Sequence, residues 1–341
     1  MKEYANLDVL RAFAVLAVFC GHLALQSGVR SDKVVNLAHL GVVFFFVHTS
    51  LVLMFSLERL AADSDKALTA RFYIRRGFRV YPLSVLIVLS LFLFEASHYP
   101  VHRAFWKDPV GNLISNLLLI QNLTGAPSLP SPLWSLPYEV QMYLVLPVLF
   151  IAVRGSRILT LSLAYVIGLV LASRFEIAQY VPCFLAGIVA YTIWRSCWPK
   201  INGLVWPALI CCVAAAYVVY KSQMHSDWIA ASVVGLTVPF FRQISWRPMV
   251  VSAKLLARYS YGIYLCHFPL ISLVFERHWS RALKLAVSVM LTAAIPVVVY
   301  HALEAPMIRQ GVRLAKQIRI RGFSLRGERL HSRGEPQSSR S

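Results

Sequence analysis

The chain has 341 residues, of which 58% are hydrophobic and 14% are charged, and its formal net charge is +19. An ordinary soluble domain is about a quarter charged, so this composition excludes one and predicts an all-α, polytopic membrane protein. The excess positive charge lies in the segments between apolar runs, which argues for membrane orientation and against nucleic acid as a partner.

Ten apolar runs are long enough to predict membrane-spanning helices. The predicted spans are 8–29, 38–57, 80–96, 136–153, 157–173, 177–196, 204–220, 228–241, 255–276 and 282–302. We expect the first run to be a retained span, because it is too long for the apolar region of a signal peptide. A shorter apolar piece at 111–123 predicts an interfacial or re-entrant segment.

The distribution of Lys and Arg predicts the orientation of these spans. If the N-terminus is cytoplasmic, the larger share of the basic residues lies on the inner side, and an eleventh span would destroy this asymmetry. We therefore predict a transmembrane domain at 1–303 and a basic cytoplasmic tail at 304–341. The first part of the tail suits anionic headgroups of the membrane lipids, and the end at 329–341 is predicted to be disordered.

The first span carries two ionisable residues that lipid disfavours. Arg11 and His22 are eleven residues apart, so in a helix they share a face and lie about 16 Å apart along the axis. Anchoring at the cytoplasmic boundary is enough to explain Arg11 alone. His22 lies deeper, and it is either a buried histidine bonded to a backbone carbonyl or a group that faces a hydrated cavity.

The third span is preceded by a dense arginine cluster. Arg71, Arg75, Arg76 and Arg79 fall within nine residues at its cytoplasmic end. Such a cluster is either a set of orientation signals or a phosphate site, since guanidinium groups bind phosphate oxygens in a bidentate manner.

A third polar cluster lies in PSPLWSLPYEVQMYLVLP at 130–147, where an extracytoplasmic approach becomes a span. Trp134 and Tyr138 suit an interfacial aromatic belt. Glu139, followed by Gln141, is either a charge favoured by the helix N-terminus or a group that faces a cavity.

Other polar residues in the predicted spans, His48, His267 and Glu304 among them, predict hydrogen bonds between helices. The six cysteines show no CxxC spacing, so we predict no disulfide framework and no metal site.

Taken in order, these elements resemble the acyltransferase-3 family of integral membrane O-acyltransferases. Members of that family modify lipopolysaccharide O-antigen, exopolysaccharide, peptidoglycan or Nod factors. The resemblance runs from residue 4 to about 313 and rests on LDVLRAFAVLAVFCGHL at 7–23, GVVFF at 41–45, the RxxR pair Arg76 and Arg79, LWSLPYEVQMYL at 133–144 and SYGIYLCHFP at 260–269.

The resemblance implies transfer of an acyl group, most often acetyl, from cytoplasmic acyl-CoA to a hydroxyl of a glycan or lipid-linked saccharide. It implies acetyl-CoA as the donor substrate, no metal, and a location in a bacterial inner membrane. It also links the Arg11–His22 pair and the RxxR arginines to activity.

The phosphates of acyl-CoA cannot enter hydrocarbon, so we expect them to stay at the inner leaflet. Arg76 and Arg79, aided by Arg75, are on the predicted side to bind them, and Arg11 lies at the mouth of the first span. We expect the pantetheine arm to thread between the first and third spans toward His22, which acts either as general base or as acyl carrier.

On the outer side, Glu139 is expected to orient His22 or to hold sugar hydroxyls, as the second catalytic residue. Trp134 and Tyr138 offer flat surfaces for sugar rings, and Gln141 completes the predicted substrate-binding set. The alternative from another class is a transporter or flippase of a phosphate-bearing glycolipid, in which the arginines hold the phosphate and His22 relays protons.

Overall fold

The computed structural model describes residues 4–63, 67–97, 103–154, 158–195, 201–221 and 224–331. Within these ranges the chain is helical, without a strand, which confirms the predicted all-α class. The α-helices are α1 (Ala5–Gln26), α2 (Asp32–Asp63), α3 (Leu68–Ser97), α4 (Pro109–Leu118), α5 (Gln121–Thr124), α6 (Leu136–Val153), α7 (Ile158–Arg174), α8 (Val181–Trp194), α9 (Val205–Tyr220), α10 (Met224–Thr237), α11 (Arg247–Phe275), α12 (Arg281–Val299) and α13 (Ala305–His331).

Six helical segments of the described chain are long and apolar enough to cross a membrane. They are Ala5–Gln26, Asp32–Asp63, Leu68–Ala96, Ser131–Val153, Glu176–Trp194 and Arg281–Ile318. The piece at 111–123, predicted to be interfacial or re-entrant, forms the short helices α4 and α5, and neither is among these candidate spans.

Helices α1 and α2 form the centre of the bundle. Helix α1 packs against α2 and α11, and α2 packs also against α8. The close approach of α1 and α2 depends on Gly41, because a Cβ atom there would lie 2.5 Å from the carbonyl oxygen of Ala14. A similar contact joins α2 to α8, where a Cβ on Gly187 would lie 2.1 Å from Ser50 Oγ.

Helices α12 and α13 are joined without a break by a π-helical turn at Tyr300–Glu304. Helix α13 packs on α3, where a Cβ on Gly311 would lie 2.6 Å from Phe78 Cβ. The segment predicted as a tail therefore begins as a helix that is docked on α3. Of the end predicted to be disordered, 329–331 belong to α13, and 332–341 lie outside the described residues.

Candidate active site

Arg11 is held by the fully buried Ser260 of α11. The guanidinium Nε of Arg11 donates to Ser260 Oγ at 2.5 Å, and the hydroxyl in turn donates to the carbonyl oxygen of Ala257 at 2.8 Å. The charge of Arg11 is therefore fixed between α1 and α11.

A cavity of about 40 Å³ lies beside Arg11, and Glu139 and Thr49 also line it. Glu139 Oε1 accepts from Thr49 Oγ1 at 3.4 Å and from the hydroxyl of Tyr143. No hydrogen bond joins Glu139 to His22 among the described residues. The expectation that Glu139 orients His22 is therefore not met, and Glu139 belongs with Arg11.

The position of Glu139 follows from the segment that precedes α6. Residues Ser131–Ser135 form a 3₁₀ turn that is packed against α11. Within it, the buried Ser135 Oγ is hydrogen-bonded to the hydroxyl of Tyr264 at 2.7 Å. Helix α6 therefore begins inside the bundle, and Glu139 lies deeper than its place in an apolar run indicates.

His22 is paired with His267 of α11, and the hydrogen bonds assign the protons of both neutral rings. His267 Nδ1 lies 2.7 Å from the carbonyl oxygen of Tyr264, which only accepts, so Nδ1 carries the proton and Nε2 is an acceptor. His22 Nδ1 lies 3.0 Å from that Nε2 and 3.0 Å from the carbonyl oxygen of Val18, so it is also protonated. The free lone pair of His22 is on Nε2.

His22 is half-buried and lines a second cavity of about 130 Å³. His39 of α2 and Trp134 of the 3₁₀ turn line the same cavity. The rings of His39 and Trp134 are stacked, with centroids 5.7 Å apart and planes 9° apart. This cavity contains the expected His22 and Trp134 together with a histidine that the sequence interpretation missed.

Behind His39 lies the buried Asp227 of α10. His39 Nε2 is 2.9 Å from Asp227 Oδ2, and Oδ1 accepts from the hydroxyl of Tyr217 and lies 3.7 Å from Lys221 Nζ. In the ranges that the structure describes, no three His, Cys, Asp or Glu side chains are grouped to hold a metal ion. In the sequence, His39 could have been recognised as an ionisable residue inside the predicted span 38–57.

Val42 and Tyr264 line both the Arg11 cavity and the His22 cavity. The hydroxyl of Tyr264 also donates to the carbonyl oxygen of Pro132 at 2.7 Å. These two side chains therefore form a partition between the cavities, and we refer to them as the Val42–Tyr264 partition.

The walls of the two cavities differ from the predicted passage between the first and third spans. They are built by α1, α2, α11 and the segment around Trp134 and Glu139, and α3 contributes to neither lining. The physical reason is that Gly41 brings α2 close to α1 while the Arg11–Ser260 hydrogen bond brings in α11.

Two of the four arginines of α3 are engaged by carboxylates. The buried Arg71 pairs with Asp63 at the end of α2. Arg79 Nη1 lies 3.0 Å from Oε2 of the buried Glu304, and its guanidinium lies 5.4 Å from the centroid of the Tyr261 ring. Tyr261 also lines the Arg11 cavity, so it connects the arginine cluster with that site.

Arg75 and Arg76 form no ion pair with a carboxylate among the described residues, unlike Arg71 and Arg79. Their Nε atoms are buried and have no hydrogen-bond partner there, and the same holds for the Nε atom of Arg71, whose Nη2 is bonded to Asp63. Leaving such a donor without an acceptor is costly, so the guanidinium groups of Arg75 and Arg76 are the ones suited to an added anion.

Two predicted substrate-binding residues lie away from His22. The hydroxyl of Tyr138 accepts from Gln179 Nε2 at 2.8 Å, and Gln141 exchanges two hydrogen bonds with Asn122 at 2.9 and 3.2 Å. Both line a mainly apolar groove between α6, α7 and α8 instead of the His22 cavity. These hydrogen bonds join α6 to neighbouring segments of the bundle.

The interior site belongs to a chain of membrane-length helices, which defines a multi-pass membrane protein. Residues 4–302 match the family model for an acyltransferase domain of the acyltransferase-3 type. The chain belongs to this family of membrane O-acyltransferases, as its motifs indicated.

Several relatives align with most of this chain. The acyltransferase MdmB of Streptomyces mycarofaciens is 26% identical over 277 aligned positions, which cover 76% of this chain and 63% of the relative. The putative peptidoglycan O-acetyltransferase YrhL of Bacillus subtilis is 27% identical over 372 aligned positions, which cover 90% of this chain and 55% of the relative. The peptidoglycan O-acetyltransferase OatA of Listeria monocytogenes is 23% identical over 361 aligned positions, which cover 91% of this chain and 56% of the relative. The chain thus spans 55% to 63% of the length of these relatives. No solved structure gives a significant match.

Proposed function

We propose that this chain transfers an acyl group from cytoplasmic acyl-CoA to a hydroxyl of a glycan or lipid-linked saccharide on the outer side of a bacterial inner membrane. The observation that carries this proposal is the pair of cavities on α1, one lined by Arg11 and one by His22, with the Val42–Tyr264 partition between them. Two cavities at different depths suit two substrates that arrive from opposite sides. The relatives named as peptidoglycan O-acetyltransferases support a glycan acceptor.

We assign ten spans to α1, α2, α3 and α6 to α12, with both termini in the cytoplasm. Within the described residues, each predicted span overlaps one of these helices. The shorter helices depend on neighbours to complete the crossing. Helix α13, which carries Arg309, Arg313 and Lys316, packs on α3, whose N-terminal half holds the arginine cluster, so the two basic regions lie on one side.

For the donor, Arg75 and Arg76 are the proposed phosphate ligands because their buried Nε atoms have no acceptor. Guanidinium groups bind phosphate oxygens strongly through charge-assisted, bidentate hydrogen bonds. Arg79 lies one turn further along α3, and its charge is paired with that of Glu304. Arg11 would hold the inner part of the donor, and Glu139 faces Arg11 across the cavity and balances its charge.

His22 supplies a basic nitrogen in either of two roles. Its Nε2 either takes the proton of the acceptor hydroxyl or attacks the thioester carbonyl itself. Positive charge develops on the ring in both cases, and the hydrogen bond from Nδ1 to His267 disperses it. A base of this kind contributes about 10²–10⁴-fold to a rate.

The size of the His22 cavity supports the transfer of a short acyl group. Its volume is about 130 Å³, and a cavity of about 150 Å³ holds a molecule the size of benzene. Such a space fits an acetyl group and one hydroxyl-bearing carbon. The rest of the glycan would lie beyond Trp134.

Mass spectrometry of surface glycans tests this function. We expect His22→Ala, at the expression level of the wild type, to remove the O-acyl groups while the glycan still reaches the surface. His225→Ala is the matched control, because His225 is exposed on α10 and contacts Trp228 edge-on. Retention of every O-acyl group in His22→Ala would refute the enzyme assignment, and loss of the surface glycan itself would favour the flippase.

A further inference from the structure

The His22 cavity contains a second imidazole that the proposed function leaves without a role. We infer that His39, held by Asp227, is the general base that deprotonates the acceptor hydroxyl, and that His22 carries the acyl group from donor to acceptor. This inference rests on the proposed function and assigns separate roles to two histidines that line one cavity.

The hydrogen bonds of His39 leave one nitrogen available. A carboxylate only accepts, so the 2.9 Å contact with Asp227 Oδ2 places the proton of neutral His39 on Nε2. The lone pair of Nδ1 is then free. His22 offers its Nε2 to the same cavity, so each ring has a partner on one nitrogen and a free lone pair on the other.

The surroundings of His39 resemble those of an oriented base. Tyr217 and Lys221 hold Oδ1 of Asp227, which directs Oδ2 to the ring of His39. Trp134 stacks on the face of the His39 ring and fixes the plane of that ring. A base that a carboxylate orients, facing a nucleophile, is the arrangement used in acyl transfer to and from hydroxyl groups.

A purely structural link between α2 and α10 would not require the histidine to face a cavity. The side chain of His39 is 21% exposed, whereas that of Asp227 is 4% exposed. His48, nine residues later on the same helix, differs from His39 in both respects, because it is 3% exposed and lines neither cavity of the site.

In the first half-reaction, His22 Nε2 attacks the thioester carbonyl carbon. The C–S bond breaks, the thiolate of CoA leaves, and the Nδ1 proton moves to His267 Nε2, which leaves a neutral acyl-imidazole. The thiolate then takes a proton from the cytoplasm.

In the second half-reaction, the acceptor hydroxyl gives its proton to His39 Nδ1 and its oxygen attacks the acyl carbon. The C–N bond breaks, and His22 takes its Nδ1 proton back from His267. His39 then releases its proton to water. The balance is one thioester and one alcohol converted into one ester and one thiol.

The experiment combines an acylation assay with the glycan measurement. Full-length protein in detergent is incubated with radiolabelled acetyl-CoA and no acceptor, and the label on the protein is mapped by peptide analysis. We expect His39→Ala and His39→Gln to retain the label on His22 while O-acylation in cells falls about 100-fold. Imidazole added to the cells should restore part of the transfer in His39→Ala, which a lost structural contact would not allow.

Asp227→Asn tests the positioning role of the carboxylate. Asp227→Asn alone should lower O-acylation at least about tenfold. Combined with His39→Ala, it should cause no further loss, because both changes remove the same base. His225→Ala should match the wild type in both assays.

Two results overturn the inference. One is wild-type O-acylation in His39→Gln, and the other is loss of the label from His39→Gln protein that melts at the wild-type temperature. Failure of the proposed function would give different results. O-acylation would be intact in His22→Ala, or the wild-type protein would take up no label and its cells would carry no O-acyl group.

Discussion

His267 accepts the Nδ1 proton of His22, which leaves Nε2 as the basic nitrogen, and in the proposed mechanism it shares the positive charge that develops on the His22 ring. Its Nε2 is the acceptor for the Nδ1 proton of His22 at 3.0 Å. We expect His267→Phe to lower the turnover of O-acyl transfer about 100-fold, with little change in the donor KM, because the ring no longer has a partner for its positive charge. Initial rates with labelled acetyl-CoA measure both quantities.

His267→Gln is the informative companion, since its side-chain amide can accept the same proton. It should recover part of the activity. A His267→Phe protein that turns over at the wild-type rate would show that this hydrogen bond is structural.

The sequence predicts part of this site because helical periodicity is local. Arg11 and His22 share a face of α1 since eleven residues make slightly more than three turns. Their partners, Ser260 and His267, are about 250 positions away, so no periodic pattern indicates them. The sequence did not indicate that Glu139 shares a cavity with Arg11, because that contact depends on the 3₁₀ turn before α6, which is packed inside the bundle.

The crossing of α1 and α2 explains the glycine in the GVVFF motif. We expect Gly41→Ala to destabilise the protein by about 1–3 kcal/mol, because its Cβ would lie 2.5 Å from a backbone oxygen that cannot move alone. The same change should reduce activity by shifting α1 and with it His22. The melting temperature in detergent measures the first effect, and O-acyl transfer measures the second.

Gly77→Ala on α3 is the matched control, since no atom lies within 4 Å of a Cβ built there. It should keep the activity and should not lower the melting temperature, because alanine is a better helix former than glycine. Equal melting temperatures for Gly41→Ala and the wild type would contradict the close-packing explanation.

The helix centres were predicted well and the helix ends were not. Helix α2 was expected at 38–57 and extends over Asp32–Asp63, and α3 was expected at 80–96 and extends over Leu68–Ser97. Apolar length reports the thickness of hydrocarbon that a helix crosses. Charged turns such as those around Arg71 continue the helix into the interface, where hydropathy gives no signal.

The ten-span assignment predicts which surfaces a reagent can reach. We expect Lys33→Cys, at the start of α2, to react with a membrane-impermeant maleimide added to intact cells. We expect Lys316→Cys, on α13, to react only after the cells are opened. Labelling is measured by gel shift, with the wild-type chain as the background for its own cysteines.

Labelling of Lys316→Cys in intact cells would contradict a cytoplasmic C-terminal helix. Absence of labelling at Lys33→Cys in both preparations would indicate that the loop is covered, and Asp32→Cys then repeats the test one residue away.

The Val42–Tyr264 partition has a consequence for the proton gradient across the membrane. A continuous file of water from the arginines to the histidines would conduct hydronium and dissipate the proton-motive force. In the proposed mechanism, the arm of the donor would cross by displacing these two side chains, which would return to their places once the thiol leaves. In the two-step scheme, one proton is taken up inside and one is released outside in each cycle, so each exported acyl group moves one positive charge outward across the membrane.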